Sequence, residues 1–266
     1  MKSQQIIYQV DAFTSEVFRG NPAGVCLLDN TPSEVWMQNI AMEMNLSETA
    51  FVLPGKNGER IIRFYTPEAE VPLCGHATLA ASHILYETGL ASGEEKILFS
   101  SRSGALMIHR DKNWITMNFP AETLQKIEDT SGFKKTTGIK PLELYGKNSF
   151  WSLALLKNEE HVRNCRPDFM RMKDSGFGDL IVTAPSDDKS YDYCIRCFAP
   201  AVGINEDPVT GSAQCVLAPF WHSKTGKLDF VCHQVSKREG VLKISLKESR
   251  VEISGQAVTV FRAELF

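Results

Sequence analysis

A small group of side chains in this sequence could carry out proton-transfer chemistry. They are Glu48, Cys74, His76 and Asp207. Carboxylates and imidazoles act as general acids and bases, and a thiol does so where its surroundings lower its pKa. Each of these residue types is also common in purely structural settings. The elements that position them therefore decide between the two interpretations.

Glu48 is the most unusual of these residues in its local setting. In the strand predicted over residues 46–53 it shares one face with Leu46, Ala50 and Val52. A carboxylate on an apolar strand face costs several kcal/mol if it has no partner. An exposed strand start or a functional role would each explain it, and the pattern leaves both open.

Cys74 and His76 lie where a helix is predicted to begin, over residues 75–87 (GHATLAASHILYE). The segment is apolar nearly all round, which is typical of a helix that is buried on every side, and Gly89 supplies a stop signal. The N–H groups and the positive dipole end at a helix N-terminus favour an anion. A hydrogen-bonded histidine and a buried structural cysteine are the alternatives.

The second half of the chain repeats the pattern of the first. An Arg-x-x-x-Pro segment precedes a glycine-led helical segment in both halves, with Arg63 before Gly75 and Arg196 before Gly211. Other short matches recur at nearly the same separation, which indicates an internal duplication.

We therefore predict two similar domains, residues 1–119 and 120–266, each a sheet with one long helix. The last strand of the chain could cross over to the first domain. The polar segment 120–141 is predicted to connect the two domains, with room for a short helix.

The second long helix is predicted over residues 211–224, and Pro219 should kink or interrupt it, leaving it irregular after its second turn. Asp207 and Pro208 have the form of an N-cap followed by proline at the first helical position, which is the structural alternative to a catalytic aspartate. If both long helices are buried, their N-termini would face each other across a domain cleft and hold a carboxylate.

Two further predictions concern the chain before Glu48. The glycines, asparagine and proline of residues 18–24 (FRGNPAG) indicate a loop or tight bend. Thr31 is predicted as a helix N-cap with Pro32 at the first helical position, and Asn45 as a left-handed stop.

Composition excludes several classes of protein. The net charge of −3 is spread along the 266 residues, so no basic face indicates nucleic acid or an anionic membrane. The longest apolar run, residues 215–221, is too short to span a bilayer, and the N-terminus lacks the apolar core of a signal peptide. Seven cysteines, an odd number, indicate reduced thiols and a cytoplasmic protein.

The sequence gives little support for metal, nucleotide or hydrolase chemistry. Cys194 and Cys197 form a C-x-x-C pair, but it lies in an alternating, strand-like segment and lacks a four-ligand zinc spacing. The sequence has no Walker loop, no GxGxxG and no serine nucleophile elbow. We therefore expect no metal site.

Four motifs together resemble those of the PhzF-like family, which is named for a phenazine-biosynthesis isomerase. They are residues 20–25 (GNPAGV), 45–52 (NLSETAFV), 70–80 (EVPLCGHATLA) and 206–213 (EDPVTGSA). The resemblance runs from the first strand to the last. It implies the α+β fold of diaminopimelate epimerase: two similar domains, each a barrel-like, mostly antiparallel sheet around a central helix, with the active site between them.

The resemblance also implies a function. It suggests a cofactor-independent isomerase that moves a proton between carbons of a small, unsaturated, carboxylate-bearing substrate, and it suggests a homodimer. The implied catalytic residues are Glu48 as general acid/base, His76 and Asp207; the implied substrate-binding residues are Gly75, Gly211, Ser212 and Asn21.

One departure limits the analogy. Diaminopimelate epimerase uses a cysteine just before the helix glycine of each domain, and these positions here hold Cys74 and Thr210. The two-thiol mechanism is therefore not available. An amino-acid racemase or epimerase, and a non-catalytic anion-binding protein that retains the fold, are the alternatives.

Overall fold

The computed structural model describes residues 5–56, 58–93, 96–146 and 149–265. The chain forms two compact units. The first runs to Asn118 and resumes at Ser254, and the second is Phe119–Ile253. Within the described ranges, no helix is long and apolar enough to cross a membrane.

Strands dominate both units, and helices are few. In chain order the strands are β1 (Gln5–Ala12), β2 (Asn21–Leu27), β3 (Glu48–Pro54), β4 (Arg60–Tyr65), β5 (Glu70–Val71), β6 (Ile97–Ser101), β7 (Gly104–Asp111), β8 (Trp114–Pro120), β9 (Gln125–Lys126), β10 (Glu143–Gly146), β11 (Ser152–Leu155), β12 (Leu180–Pro185), β13 (Tyr193–Ala199), β14 (Ile204–Asp207), β15 (Asp229–Gln234), β16 (Gly240–Lys247), β17 (Arg250–Gly255) and β18 (Ala257–Leu265). The helices are α1 (Glu34–Met44), α2 (Gly75–Glu87), α3 (Ser131–Thr137), α4 (Glu159–Arg163), α5 (Phe169–Lys173) and α6 (Gln214–Thr225), and a 3₁₀ turn spans Pro200–Val202.

The first unit is built around α2. Strand β1 pairs antiparallel with β2 and β18, β2 runs parallel to β3, and β3 runs antiparallel to β4. Strand β4 then pairs antiparallel with β5 and parallel with β6. The predicted bounds of α2, residues 75–87, are confirmed, and all but three residues of this helix are buried. Small residues such as Ala77 and Ala81 let the helix pack closely against the surrounding strands.

The second unit repeats these pairings strand for strand. Strand β10 is antiparallel to β11, β11 is parallel to β12, and β12 is antiparallel to β13. Strand β13 pairs antiparallel with β14 and parallel with β15. The same order of pairing in two consecutive stretches agrees with the duplication indicated by the sequence. The predicted α+β class, with a mostly antiparallel sheet and a central helix in each unit, is confirmed.

The prediction for the start of the second long helix was wrong. Helix α6 begins at Gln214, because Gly211–Ala213 forms a tight turn in which the Gln214 N–H donates to the Gly211 carbonyl (3.0 Å). Pro219 also does not interrupt the helix. The Cys215 carbonyl, which a proline four residues later leaves without its helical donor, accepts the Glu122 N–H at 2.9 Å instead.

Two predictions for the chain before Glu48 also need correction. Residues 18–24 are not wholly a loop, because β2 begins at Asn21, which is paired with Ala12 of β1. The N-cap of α1 is Ser33, whose Oγ accepts the Trp36 N–H, and not Thr31. Asn45 does end the helix in the left-handed conformation, with φ of 49°.

The limits of the two units are the two points at which the chain leaves the first unit and returns to it. The sequence places the boundary between residues 119 and 120. In the structure the chain leaves the first unit after Asn118 and re-enters it at Ser254. Strand β18 then pairs along the length of β1, from Ala12 opposite Ala257 to Gln5 opposite Leu265.

Candidate active site

Glu48 is the first residue of β3 and lies opposite Ala23 of the parallel neighbour β2. Its side chain is 17% exposed. Burial raises the pKa of the Glu48 carboxyl above its ordinary value, and hydrogen bonds with the Ser47 and Cys74 side chains partly oppose this rise. The carboxyl is therefore easier to protonate than an exposed glutamate.

The face of β3 that carries Glu48 is apolar and buried as predicted, since Ala50 and Val52 are both buried. The opposite face is buried as well, and Thr49 on it is fully buried. What distinguishes Glu48 is its position as the first residue of a buried strand.

His76 lies in the first turn of α2, and the fold brings it to Glu48. Its Nε2 is 3.3 Å from Glu48 Oε2 and 3.4 Å from Ser47 Oγ. Its Nδ1 is 3.4 Å from Cys74 Sγ. The His76 side chain is only 9% exposed. Two residues that are far apart in sequence thus form a carboxylate–imidazole pair with a thiol and a hydroxyl beside it.

The start of α2 is held in place by its own first turn. Both the N–H and the hydroxyl of Thr78 donate to the Cys74 carbonyl, at 3.0 and 2.7 Å. Gly75 is the first helical residue, and a Cβ placed on it would meet no described atom within 4 Å beyond its chain neighbours and the nearby backbone of its own helix. The space above the Gly75 backbone is therefore open to a ligand, at the end of the helix where the dipole favours negative charge.

Asp207 lies at the end of β14, so the helix N-cap interpretation was wrong. Its carboxylate accepts a hydrogen bond from the Thr210 hydroxyl. The fully buried Gln234 holds this turn, because its Nε2 donates to the Asp207 carbonyl and its Oε1 accepts the Thr210 N–H, both at 2.8 Å. Ser212 is exposed in the turn before α6.

An arginine–glutamate pair holds the strand that leads to this turn, and the first unit has its counterpart. Arg196 on β13 donates from Nε and Nη2 to the two oxygens of Glu206 at 2.6 and 2.8 Å. Arg63 on β4 donates in the same way to Glu70, at 2.8 and 2.7 Å. Each pair therefore ties β5 or β14 to the neighbouring strand, shortly before Gly75 in the first unit and Gly211 in the second.

Sequence reasoning missed four of these residues. Glu70 and Glu206 precede Gly75 and Gly211 by the same number of residues, so the duplication could have revealed them. Ser47 lies next to Glu48 within the motif that was identified. Nothing local in the sequence indicates Gln234, because its role depends on the pairing of β15 with β13.

Asn21 is fully buried at the start of β2, two residues before the residue that pairs with Glu48. A contact between Asn21 and substrate remains a prediction.

The seven cysteines are all free thiols. Burial raises the pKa of Cys194 to about 12, and its C-x-x-C partner Cys197 is also fully buried. Neither is poised as a thiolate. Among the described residues, the group with metal-ligand geometry is Glu48, Cys74 and His76, whose donor atoms lie within 4.8 Å of one another.

Comparison with known proteins agrees with this architecture. The chain is 46% identical over 260 residues to an uncharacterized isomerase of Halalkalibacterium halodurans, covering 97% of each chain. The crystal structure of a PhzF-family phenazine biosynthesis protein from Enterococcus faecalis superposes with a TM-score of 0.93 at 38% identity, covering 99% of each chain. A Pseudomonas aeruginosa protein described as a predicted epimerase shares the fold, with a TM-score of 0.76 at 22% identity and 99% coverage of each chain.

The family model for phenazine biosynthesis-like proteins, PhzC-PhzF, matches residues 10–263, almost the whole chain. The resemblance that the four motifs indicated is thus confirmed. The chain belongs to the PhzC-PhzF family of phenazine biosynthesis-like proteins.

Proposed function

We propose that this protein is an isomerase that moves a proton between carbon atoms of a small, unsaturated substrate carrying a carboxylate, with Glu48 as general acid/base. The observation that carries the proposal is the contact between Glu48 Oε2 and His76 Nε2 at 3.3 Å beside the open start of α2. Membership of a family whose curated relatives include proteins named as isomerases supports the reaction class.

The carboxylate of Glu48 suits both halves of such a reaction. In the first half it takes a proton from a carbon next to the conjugated system, and the electron pair moves into that system. In the second half the protonated Glu48 returns the proton to another carbon. Burial raises the pKa of Glu48, so the acid and the base forms lie closer in free energy at neutral pH than for an exposed glutamate.

His76 and the start of α2 would stabilise the intermediate charge. The imidazole is close enough to hydrogen-bond the Glu48 carboxyl and orient it. Negative charge that develops on the substrate would lie near the first-turn N–H groups around Gly75, where the helix dipole is positive. A positioned base contributes about 10²–10⁴ in rate, so orientation and charge stabilisation must supply the rest.

The roles of Asp207, Gly211 and Ser212 rest on the family resemblance. The hydrogen bond from Thr210 and the contacts of Gln234 keep the Asp207 turn in one conformation, which suits a residue that binds or protonates substrate. We therefore include Asp207 as a second acid/base and Ser212 as a substrate-binding hydroxyl. No cofactor enters this scheme.

Solvent exchange tests the proposal across a range of candidate substrates. The wild-type protein and Glu48→Gln would be incubated in D₂O with a panel of small unsaturated carboxylates, and deuterium incorporation would be followed by NMR. We expect the wild type to label at least one member of the panel. We expect the labelling rate to fall by about 10²–10⁴ in Glu48→Gln, since the base is lost while the side-chain shape is kept.

The matched control is Glu43→Gln, the same substitution at an exposed position of α1. It should label at the wild-type rate. If Glu48→Gln also exchanges at the wild-type rate, Glu48 is not the base and the proposed mechanism is wrong.

An amino-acid racemase is the second candidate, and Cys74 is the residue that favours it. Its thiol lies 3.4 Å from an imidazole at a helix N-terminus. Thr210 at the corresponding position of the second unit argues against a racemase, because its hydroxyl already donates to Asp207. Racemisation of a free amino acid that disappears in Cys74→Ser and persists in Glu48→Gln would favour this candidate.

A further inference from the structure

Glu48, Cys74 and His76 come from three different positions of the first unit. Glu48 begins β3, Cys74 is the N-cap of α2, and His76 lies in its first turn. Carboxylate oxygen, thiol sulfur and imidazole nitrogen are the donor types that zinc binds in proteins. All three donor atoms lie within 4.8 Å of one another.

We propose that Glu48, Cys74 and His76 form a binding site for a borderline-soft divalent cation, with Zn²⁺ the best fit, and that the bound ion blocks proton transfer at this site. The second part rests on the proposed function. The first part, metal binding, does not.

The distances suit a tetrahedral ion bound through His76 Nε2. Metal–ligand bonds of about 2.0 Å to oxygen and nitrogen and about 2.3 Å to sulfur place the donor atoms roughly 3.3–3.6 Å apart. Glu48 Oε2 and His76 Nε2 are already 3.3 Å apart. Cys74 Sγ is 4.0 Å from the same nitrogen, so a small rotation of the side chains completes the set.

The donor types select the ion. A thiolate and an imidazole favour Zn²⁺ and Co²⁺ over Mg²⁺ and Ca²⁺, which prefer oxygen ligands. Three protein ligands leave one tetrahedral position for water or for a carboxylate from solution. Binding converts the Cys74 thiol to a thiolate and releases one proton to solvent.

Occupancy by the ion has a direct consequence for the chemistry. A metal-bound Glu48 oxygen cannot accept a proton from carbon, and a metal-bound His76 nitrogen cannot hydrogen-bond the carboxyl. Zn²⁺ should therefore inhibit the isomerase, and a tight-binding chelator should restore it.

Cobalt provides the test, because thiolate-bound Co²⁺ has a sulfur-to-metal charge-transfer absorption in the near ultraviolet. Reduced, metal-free protein would be titrated with Co²⁺ and then with Zn²⁺. We expect one equivalent of Co²⁺ to produce the band and Zn²⁺ to abolish it. Cys74→Ser should lose the band. His76→Asn and Glu48→Gln should weaken Zn²⁺ binding by more than about 100-fold, since even outer-shell partners are worth about 10- to 100-fold.

Two control variants address competing sites. Cys215→Ser removes the most exposed of the other cysteines, and His83→Asn removes an imidazole that lies 2.8 Å from Glu87 on the same helix. Both should keep the band and the stoichiometry. Absence of the band in the wild type, or its persistence in Cys74→Ser, overturns the proposal.

The two proposals fail separately. If Zn²⁺ binds as expected but no carboxylate shows exchange, the metal site stands and the proposed function is what fails. If exchange occurs and Zn²⁺ neither binds nor inhibits, only the metal site is overturned.

Discussion

At the scale of single residues, Glu48 occupies surroundings that oppose its charge. Burial raises its pKa, and its hydrogen bonds with Ser47 and Cys74 only partly compensate. The folded state therefore binds a proton at Glu48 more tightly than the unfolded chain does. Active sites often trade stability for reactive groups of this kind.

The pH dependence of stability follows from the sign of that shift. Because the folded pKa is the higher one, stability falls as pH rises from the ordinary glutamate value through the raised value. Glu48→Gln carries no charge at any pH. We expect it to melt at a higher temperature than the wild type at pH 8, with the difference shrinking towards pH 4. Calorimetry across this range measures it, and a pH-independent difference would contradict the assignment.

At the scale of elements, the arginine–glutamate pairs position the segments that precede the site. Arg196 is nearly fully buried, and besides Glu206 its Nη1 donates to three carbonyls at the end of α4: those of Val162, Arg163 and Cys165, at 3.2, 3.0 and 2.8 Å. One guanidinium thus joins β13, β14 and the C-terminal end of α4. A lysine ammonium cannot reproduce the planar fork that makes these contacts.

Arg196→Lys should therefore lower the free energy of unfolding by about 2 kcal/mol, since it leaves buried acceptors unpaired while keeping the charge. Urea denaturation measures the change. Arg102→Lys is the matched control, because Arg102 also pairs with a site glutamate, Glu70, but is 62% exposed. Its cost should stay below about 0.5 kcal/mol. Equal costs for the two variants would show that burial of Arg196 contributes nothing.

The two long helices also show which helix bounds can be predicted from sequence patterns and which cannot. Helix α2 was predicted to the residue because its apolar run, N-terminal glycine and C-terminal glycine agree. Helix α6 was misplaced at its start because a turn bonded to Gly211 resembles a first helical turn in sequence. Helix α6 continues through Pro219, and the Cys215 carbonyl accepts the N–H of Glu122, a donor that no local pattern indicates.

The sequence also predicts candidate residues of the site but not the contacts between them. Residue types and motifs made Glu48, His76 and Asp207 candidates, and their catalytic roles remain predictions. The 3.3 Å contact between Glu48 and His76 depends on how β3 and α2 pack, which is a tertiary property. The same limit applies to Gln234, whose side chain reaches the Asp207 turn from another strand.

At the scale of the whole molecule, the two units share a scaffold and differ in chemistry. The strand pairings and the arginine–glutamate pairs recur in both. The position that holds Val71 in the first unit holds Asp207 in the second, and Cys74 is matched by Thr210. The two units thus share the same strand pairings, whereas the residues in the segments that lead to their long helices differ. A homodimer remains a prediction.

Close packing in the first unit can be tested at Gly255. A Cβ there would lie 2.4 Å from a ring carbon of the fully buried Phe13 and 2.7 Å from Leu79 on α2. Gly255→Ala should destabilise the protein by about 1–3 kcal/mol through overpacking. Thermal and urea unfolding would measure this loss.

Gly132→Ala serves as the matched control. Gly132 lies in α3, and a Cβ there meets no described atom within 4 Å beyond its chain neighbours and the nearby backbone of its own helix. Alanine in a helix should leave stability unchanged or raise it by up to about 1 kcal/mol. A wild-type transition for Gly255→Ala would contradict the tight packing around α2.

The pairing of β1 with β18 has a consequence for synthesis on the ribosome. Strand β1 emerges before the second unit, whereas its neighbour β18 emerges after it. The second unit, Phe119–Ile253, has left the ribosome by then and has all of its own strands. The half of the chain that is made first is therefore the half that is completed last.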